Sequence, residues 1–420
     1  MTHPVRGSAR EVFAVSLRLG LTSFGGPIAH LGYQRDAFVS RHRWVDDDTF
    51  AELVALCQTL PGPASSQLSI AMGRLRAGWT GALAAWVGFT LPSAVLMTLL
   101  GLWAAGAGVP STGPVAGAIA GLQAAAVAVV AHAVLGMGRR LAPDAPRLVI
   151  AAVAALAALA IPSPATQLAS IAAGAVIGWV LWRGARGGAP DDEAAAPPRS
   201  AATPRPASLG AAAARPAATA AAFVAVVAGS QLASAATGDP TLDLVAALVR
   251  AGALVFGGGH VVLPLLDAGI VAPGWVASEP FVAGYGAAQA MPGPLFTFAS
   301  YLGAIASAGP GGISGAVLAT IAIFLPGALL VLAALPLIGA LRARAGVAGA
   351  LRGVNAVVVG ILAAALIDPV GRSGITSPLA AVVAGAGGLA LVSGRVPPLA
   401  VVVGSALALG AAAALGTTTG

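Results

Sequence analysis

The chain has 420 residues, of which 58% are hydrophobic and 9% charged, and its mean hydropathy is +0.89. A soluble domain carries roughly 25% charged residues, so an ordinary globular protein is excluded; the apolar content suffices for about a dozen spans of roughly 20 residues. The net charge is +7 and all 22 basic residues are arginine, but no basic patch is interleaved with aromatics, which sets nucleic acid aside as a partner.

The apolar runs are continuous rather than alternating, so the expected class is an all-α polytopic membrane protein and not a β-barrel. In chain order, runs bounded by Gly, Pro or Arg predict helical spans at 11–30, 50–73, 79–104, 114–138, 148–161 and 165–182. The first contains Arg18 and the Phe24-Gly25-Gly26 break, and reads as a retained span rather than a signal peptide. The second contains Glu52, Gln58, Pro61-Gly62-Pro63, Ser66 and Ser69. A segment rich in Ala, Pro, Gly and Arg, 184–216, carries the acidic triplet Asp191-Asp192-Glu193 and reads as a flexible cytoplasmic linker. A single connecting span, 217–237, follows. The last six are 244–264, 281–304, 313–341, 347–370, 377–393 and 397–415, giving thirteen in all. The lone cysteine, Cys57, leaves no disulfide framework and no cysteine-based metal site; no cofactor is expected.

Compared with itself, the chain is duplicated. Arg18, Gly20, Phe24, Gly25 and Gly26 match Arg250, Gly252, Phe256, Gly257 and Gly258. Trp44-Val45 matches Trp275-Val276, and Gln58-x-x-Pro61-Gly62-Pro63 matches Gln289-x-x-Pro292-Gly293-Pro294. Leu91-Pro92 matches Leu325-Pro326, and Gly117 and Gly121 match Gly349 and Gly353. The chain therefore divides into an N-terminal repeat, 1–183 with its core at 11–140, and a C-terminal repeat, 243–420 with its core at 243–372.

Arginine placement orients the copies. Arg74, Arg76, Arg139, Arg140 and Arg147 flank the third and fourth spans, whereas the loop between those spans, 105–113, is uncharged. In the second copy the pattern swaps: Arg342, Arg344 and Arg352 lie between the matched spans and 305–312 is uncharged. With arginine-rich loops cytoplasmic, the copies are inverted, the N-terminus is cytoplasmic and the C-terminus outside. The same count puts 31–48 outside despite Arg35, Arg41 and Arg43, which Asp36, Asp46, Asp47 and Asp48 balance. Inverted repeats joined by an odd span are a signature of secondary transporters.

Two prolines flanking a glycine inside an apolar run break the helix, and the half-helix that follows presents unpaired N–H groups. Ser66 and Ser69 follow the first break, Thr297 and Ser300 the second, each pair on one helical face. This predicts a twin cradle for an anion, with Gln58 and Gln289 adding amide donors; a packing kink is the plainer alternative. The Phe-Gly-Gly breaks read equally as hinges, as binding loops or as close helix packing. Arg18 and Arg250 are intramembrane charges whose planar forks suit an oxoanion, unless they pair with Glu11 and Asp243. Glu52 and His260 are candidate proton carriers, against interfacial and structural roles; His132 reads as structural. One cysteine, five dispersed histidines and no H-E-x-x-H sequence argue against an intramembrane enzyme.

The Phe-Gly-Gly break, the Trp-Val pair, the Gln-x-x-Pro-Gly-Pro break and the later Leu-Pro, each present twice, resemble the chromate ion transporter family in its long, two-domain form. The resemblance covers most of the chain. It implies a bacterial inner-membrane protein that exports chromate and confers chromate resistance, with fused halves of opposite orientation. Sulfate, also a tetrahedral dianion, is the natural competing substrate. The implied partners are the anion and the lipid bilayer, with a homo-oligomer left open. Gly259-His260 replaces Pro27-Ile28, a departure from site symmetry.

Overall fold

Glycine and proline punctuate the apolar runs, and the chain turns where they stand. The computed structural model describes residues 7–23, 26–107, 112–161, 163–182, 216–256, 261–337 and 345–416, which are helical with no strand. The first half comprises α1 (Ala9–Thr22), α2 (Gly26–Arg35, widening into a π turn at Asp36–Arg41), α3 (Asp47–Thr59), α4 (Ala64–Ala107), α5 (Gly113–Leu141), α6 (Ala145–Ala160) and α7 (Pro164–Trp182). The connecting helix is α8 (Pro216–Thr237). The second half comprises α9 (Pro240–Leu254), α10 (Val262–Leu266, widening at Asp267–Val271), α11 (Ser278–Ala290), α12 (Phe298–Ile305), α13 (Gly312–Ala334), α14 (Ala345–Ala365, widening at Leu366–Gly371), α15 (Pro378–Val392) and α16 (Pro398–Ala414). Side-chain caps set several starts: Ser8 accepts from Glu11 N at 3.1 Å, Asp46 from Thr49 N at 2.8 Å and Asp144 from Arg147 N at 3.0 Å.

The duplication runs further than the sequence match. The backbone of α4 is non-helical at Ala77 and Gly78, where the second half has a loop between α12 and α13. α6 and α7 stand where α15 and α16 stand, and both halves carry the π turn after their second helix. Pro92 and Pro326 remain inside continuous helices.

Among the described residues six helices are long and apolar enough to cross a membrane, namely the long parts of α4, α5, α7, α8 and α13, and α14 with its continuation; α6, α15 and α16 are apolar but shorter. The predicted spans 11–30, 50–73, 244–264 and 281–304 are each a pair of short helices around a break. α1 has 14 residues and α3 has 13, about 20 Å each at ~1.5 Å per residue, against a hydrocarbon core of about 30 Å. Their open ends lie together. Arg76, before the kink in α4, donates to Glu11 at 3.0 Å, and Trp44 Nε1 donates to the same carboxylate at 3.0 Å. In the second half Ser307 N donates to the Trp275 carbonyl at 3.0 Å, and Gly309 packs on Thr241 and Leu244 of α9.

Each pair is therefore a hairpin, and the expectation that 31–48 faces away from Arg74 and Arg76 is corrected. The Pro-Gly-Pro triplet turns the chain back instead of only kinking it. Leu60 and Met291 leave their helices in extended backbone, and the next glycines take left-handed φ.

The halves then exchange helices. α5 packs against α15 and α16, and α14 packs against α6 and α7. The matched glycines sit at these crossings: Gly117 and Gly121 against the Leu409 and Ser405 backbone, Gly353 against Gly174. Small residues let the backbones touch where lipid supplies no hydrophobic drive. The main core gathers Leu248, Phe281, Tyr285, Phe298 and Phe324 of the second half; a smaller one gathers Phe38, Leu68, Met72 and Phe89 of the first.

Candidate anion site at the helix breaks

The breaks of the two halves are bonded to each other. Gly62 N donates to the Val255 carbonyl at 2.7 Å, and Gly293 N donates to the Ser23 carbonyl at 2.8 Å. Ser23 and Val255 are matching positions, as are Gly62 and Gly293, so the two bonds are reciprocal. Gly62 has φ +120° and Gly293 φ +91°, which an L side chain adopts at a cost of about 1–2 kcal/mol. Both are also crowded. A Cβ on Gly293 would lie 2.9 Å from Ser93 Oγ, and one on Gly62 3.1 Å from Gly327 Cα. Ser93 and Gly327 match as well. The two Pro-Gly-Pro apices are thus wedged between α4 and α13.

In their side chains the apices differ. At the first, Gln34 Nε2 donates to the Ser65 carbonyl at 2.8 Å and to Ser69 Oγ at 2.9 Å, and His30 Nδ1 lies 3.4 Å from Ser65 Oγ. Gln67 Nε2 donates to the Pro61 carbonyl at 2.8 Å and the Gly327 carbonyl at 3.2 Å. His30, Gln34, Ser65, Ser66, Gln67 and Ser69 are all buried. Several of their atoms meet no protein partner: His30 Nε2, Ser66 Oγ, Gln34 Oε1 and Gln67 Oε1, with Ser23 Oγ and Thr90 Oγ1. Each such atom costs about 1–3 kcal/mol when left unmade, and native proteins leave few. α4 begins here at Ala64, so its first N–H groups and positive dipole end add to the set.

The second apex is apolar. Phe296 stands at the Ser65 position and Phe298 at the Gln67 position, and the stretch Val261–Leu266, matching His30 and Gln34, is wholly apolar. Thr297 Oγ1 donates to the Pro294 carbonyl at 2.8 Å, and Ser300 Oγ shares a 2.6 Å bond with Thr320 Oγ1. Gln289 is buried while Gln58 is exposed. The twin arrangement holds in the backbone at the breaks and is lopsided in polarity.

The arginines are lopsided too. Arg250 is half-buried, donates to Gln231 Oε1 of α8 at 3.0 Å and lies over Gly269; Arg18 is exposed on α1. Neither pairs with the acid seven residues earlier: Glu11 holds Arg76, and Asp243 accepts from Ser234. Glu52 and His132 are exposed. Gly26 opens α2, whereas Gly25, Gly257, Gly258 and His260 lie outside the described residues. Among the described residues no cluster of His, Cys, Asp and Glu could hold a metal ion. His30, Gln34, Ser65 and Gln67 have no identical residue in the second copy, and what marks them in the sequence is that their counterparts are apolar.

A family model described as chromate transporter matches residues 10–179 and again residues 242–411. The chain belongs to the chromate transporter family. The family unit is thus the whole run from α1 to α7, repeated from α9 to α16. This chromate transporter is 31% identical over 359 residues to a chromate transport protein of Pseudomonas aeruginosa, covering 85% of this chain and 80% of that one. It is 27% identical to a chromate transport protein of Cupriavidus metallidurans, over 88% of this chain and 85% of that one. A probable chromate transport protein of Synechococcus elongatus is 26% identical over 87% of this chain and 85% of its own. No solved structure matches. A chromate transporter with six such helices is a multi-pass membrane protein.

Proposed function

We propose that this protein exports chromate from the cytoplasm by alternating access between two inverted repeats, and so confers chromate resistance. The observation that carries the reading is the reciprocal pair of bonds at the breaks, Gly62 to Val255 and Gly293 to Ser23. Such a pair places two near-equivalent apices side by side, and exchanging their environments converts an inward-open form into an outward-open one. Half-helix N–H groups, Gln58, Ser66 and Ser69 at the first break, and the arginines Arg18 and Arg250 are the groups from which the anion's hydration shell would be replaced. An inside-negative potential of about 100 mV favours outward movement of a dianion by roughly 4.6 kcal/mol.

The hairpins support inversion more strongly than thirteen crossings do. With four crossings per half and α8 between, Arg10, Arg35, Arg41, Arg43, Arg74 and Arg76 all fall on the cytoplasmic side. The corresponding second-half segments, 272–277 and 305–312, carry no arginine and fall outside. Arg372, paired with Asp368, is an exception. The N-terminus is then cytoplasmic and the C-terminus outside.

The test is counterflow in proteoliposomes of the purified chain. Chromate loaded on one side should drive labelled chromate uptake that saturates and that sulfate does not match. Equal or better drive by sulfate would reassign the substrate, and flux without trans-stimulation would reassign the protein as a channel.

A further inference from the structure

We propose that the anion is bound on one side only, at the first-half apex, with His30 Nε2 and Ser66 Oγ as its side-chain donors, while the second-half apex is a dry aromatic wall. The proposal rests on the chromate-transport reading and narrows its site.

The first argument is the distribution of unfilled hydrogen-bonding capacity. His30 and Ser66 are each 1% exposed, and neither His30 Nε2 nor Ser66 Oγ meets a protein partner. His30 Nδ1 and Ser65 Oγ lie 3.4 Å apart, and in the tautomer in which Ser65 donates, the ring proton sits on Nε2, an atom that makes no hydrogen bond within the protein. Ser66 lies in the first turn of α4, where the backbone N–H groups and the helix dipole also favour negative charge. These are donors without acceptors in a dry place, which is what an oxoanion supplies. Gln34 Oε1 and Gln67 Oε1 are acceptors, suited to a water or to the hydroxyl of a protonated oxoanion.

The second argument is the other apex. Thr297 and Ser300 have spent their hydroxyls on Pro294 and Thr320. Around them Phe281 and Phe298 are 5.3 Å apart by ring centroids, Phe298 and Tyr301 6.0 Å, and Phe296 and Phe324 5.8 Å. A dianion there would be surrounded by apolar rings that offer no hydrogen-bond donor to replace its hydration. Such a wall can seal one side of a polar site without competing for its ligand.

The experiment measures binding of radiolabelled chromate to the full chain in nanodiscs. His30→Ala and Ser66→Ala should each weaken binding by about 10- to 100-fold. Thr297→Val and Ser300→Ala should stay within about twofold. His30→Gln keeps an N–H near the lost one and should bind more tightly than His30→Ala; with Ser66→Ala it keeps the test meaningful if His30→Ala does not fold. Equal losses from both halves would overturn the proposal, as would wild-type affinity in His30→Ala and Ser66→Ala. Wild-type protein that binds sulfate and not chromate would instead sink the substrate reading, and the same variants measured with sulfate would still decide which apex holds the anion. Wild-type protein that binds neither dianion would overturn both.

Discussion

Arg76 donates to the Glu11 carboxylate at 3.0 Å although the two are 65 residues apart, and Trp44 reaches the same carboxylate from a third segment. That meeting fixes which ends of the first four helices share a membrane face. It predicts that Arg43→Cys, made in a Cys57→Ser background, reacts with an impermeant maleimide in everted vesicles and not in intact cells. Ser307→Cys, in the matching second-half loop, should show the reverse. Labelling of Arg43→Cys from outside would restore single crossings at 11–30 and 50–73.

The same contact has an energetic consequence. The side chains of Arg76 and Glu11 are only 21% and 33% exposed, and the Arg76 guanidinium also lies 5.6 Å from the Trp44 ring centre. Glu11→Gln should cost about 1–3 kcal/mol, because a charged donor loses its acceptor. Glu11→Gln and Arg76→Gln together should cost less than the sum of the two, with a coupling of at least about 0.5 kcal/mol. Thermal midpoints of the four proteins measure it; additivity would reduce the contact to a surface pair.

What the sequence made legible, and what it hid, divides along local and non-local causes. That Pro61-Gly62-Pro63 interrupts a helix is local, since proline lacks the N–H wherever it stands. That the chain turns back there is not, because Gly62 N finds its acceptor, Val255, in the other half. The arginine count consequently put 31–48 on the wrong side of Arg76. α6 and α15 escaped the repeat comparison because Ala, Val and Leu replace one another freely on lipid-facing helices. His30 was invisible for a related reason: its apolar counterpart made it look like noise.

Gly62 and Gly293 carry a joint prediction. Each combines left-handed φ with crowding from the other half, so Gly62→Ala and Gly293→Ala should each destabilise by about 1–3 kcal/mol and reduce chromate flux at least tenfold. Pro61→Ala relaxes the turn, and should reduce flux with little change in thermal midpoint. Unchanged flux in all three would leave the breaks with a packing role.

Helix exchange between the halves is checked at one glycine and a control. A side chain at Gly353 would strike the Gly174 backbone of α7 and come within 2.9 Å of Gly178 Cα, while Gly136 of α5 meets nothing within 4 Å. Gly353→Val should therefore cost at least about 3 kcal/mol, and Gly136→Val about 0.5 kcal/mol or less. Equal midpoints for the two variants would mean that α14 does not pack on α7.

The arginines separate by their neighbours. Arg250 Nη1 donates to Gln231 Oε1 at 3.0 Å, so α8, the helix without a counterpart, holds the one guanidinium that its mirror image, Arg18, leaves exposed. Arg18→Ala and Arg250→Ala should both abolish protection against chromate while leaving the protein inserted, if each guanidinium meets the dianion during the cycle. Their stabilities should differ, because Arg250→Ala leaves the Gln231 carbonyl without its donor, at about 1–2 kcal/mol, and Arg18→Ala leaves no bond unmade. Adding Gln231→Leu to Arg250→Ala should recover most of that stability and none of the transport. Recovery of transport would mean that Arg250 serves α8 packing alone; protection surviving in both single variants would remove the arginines from the anion's path.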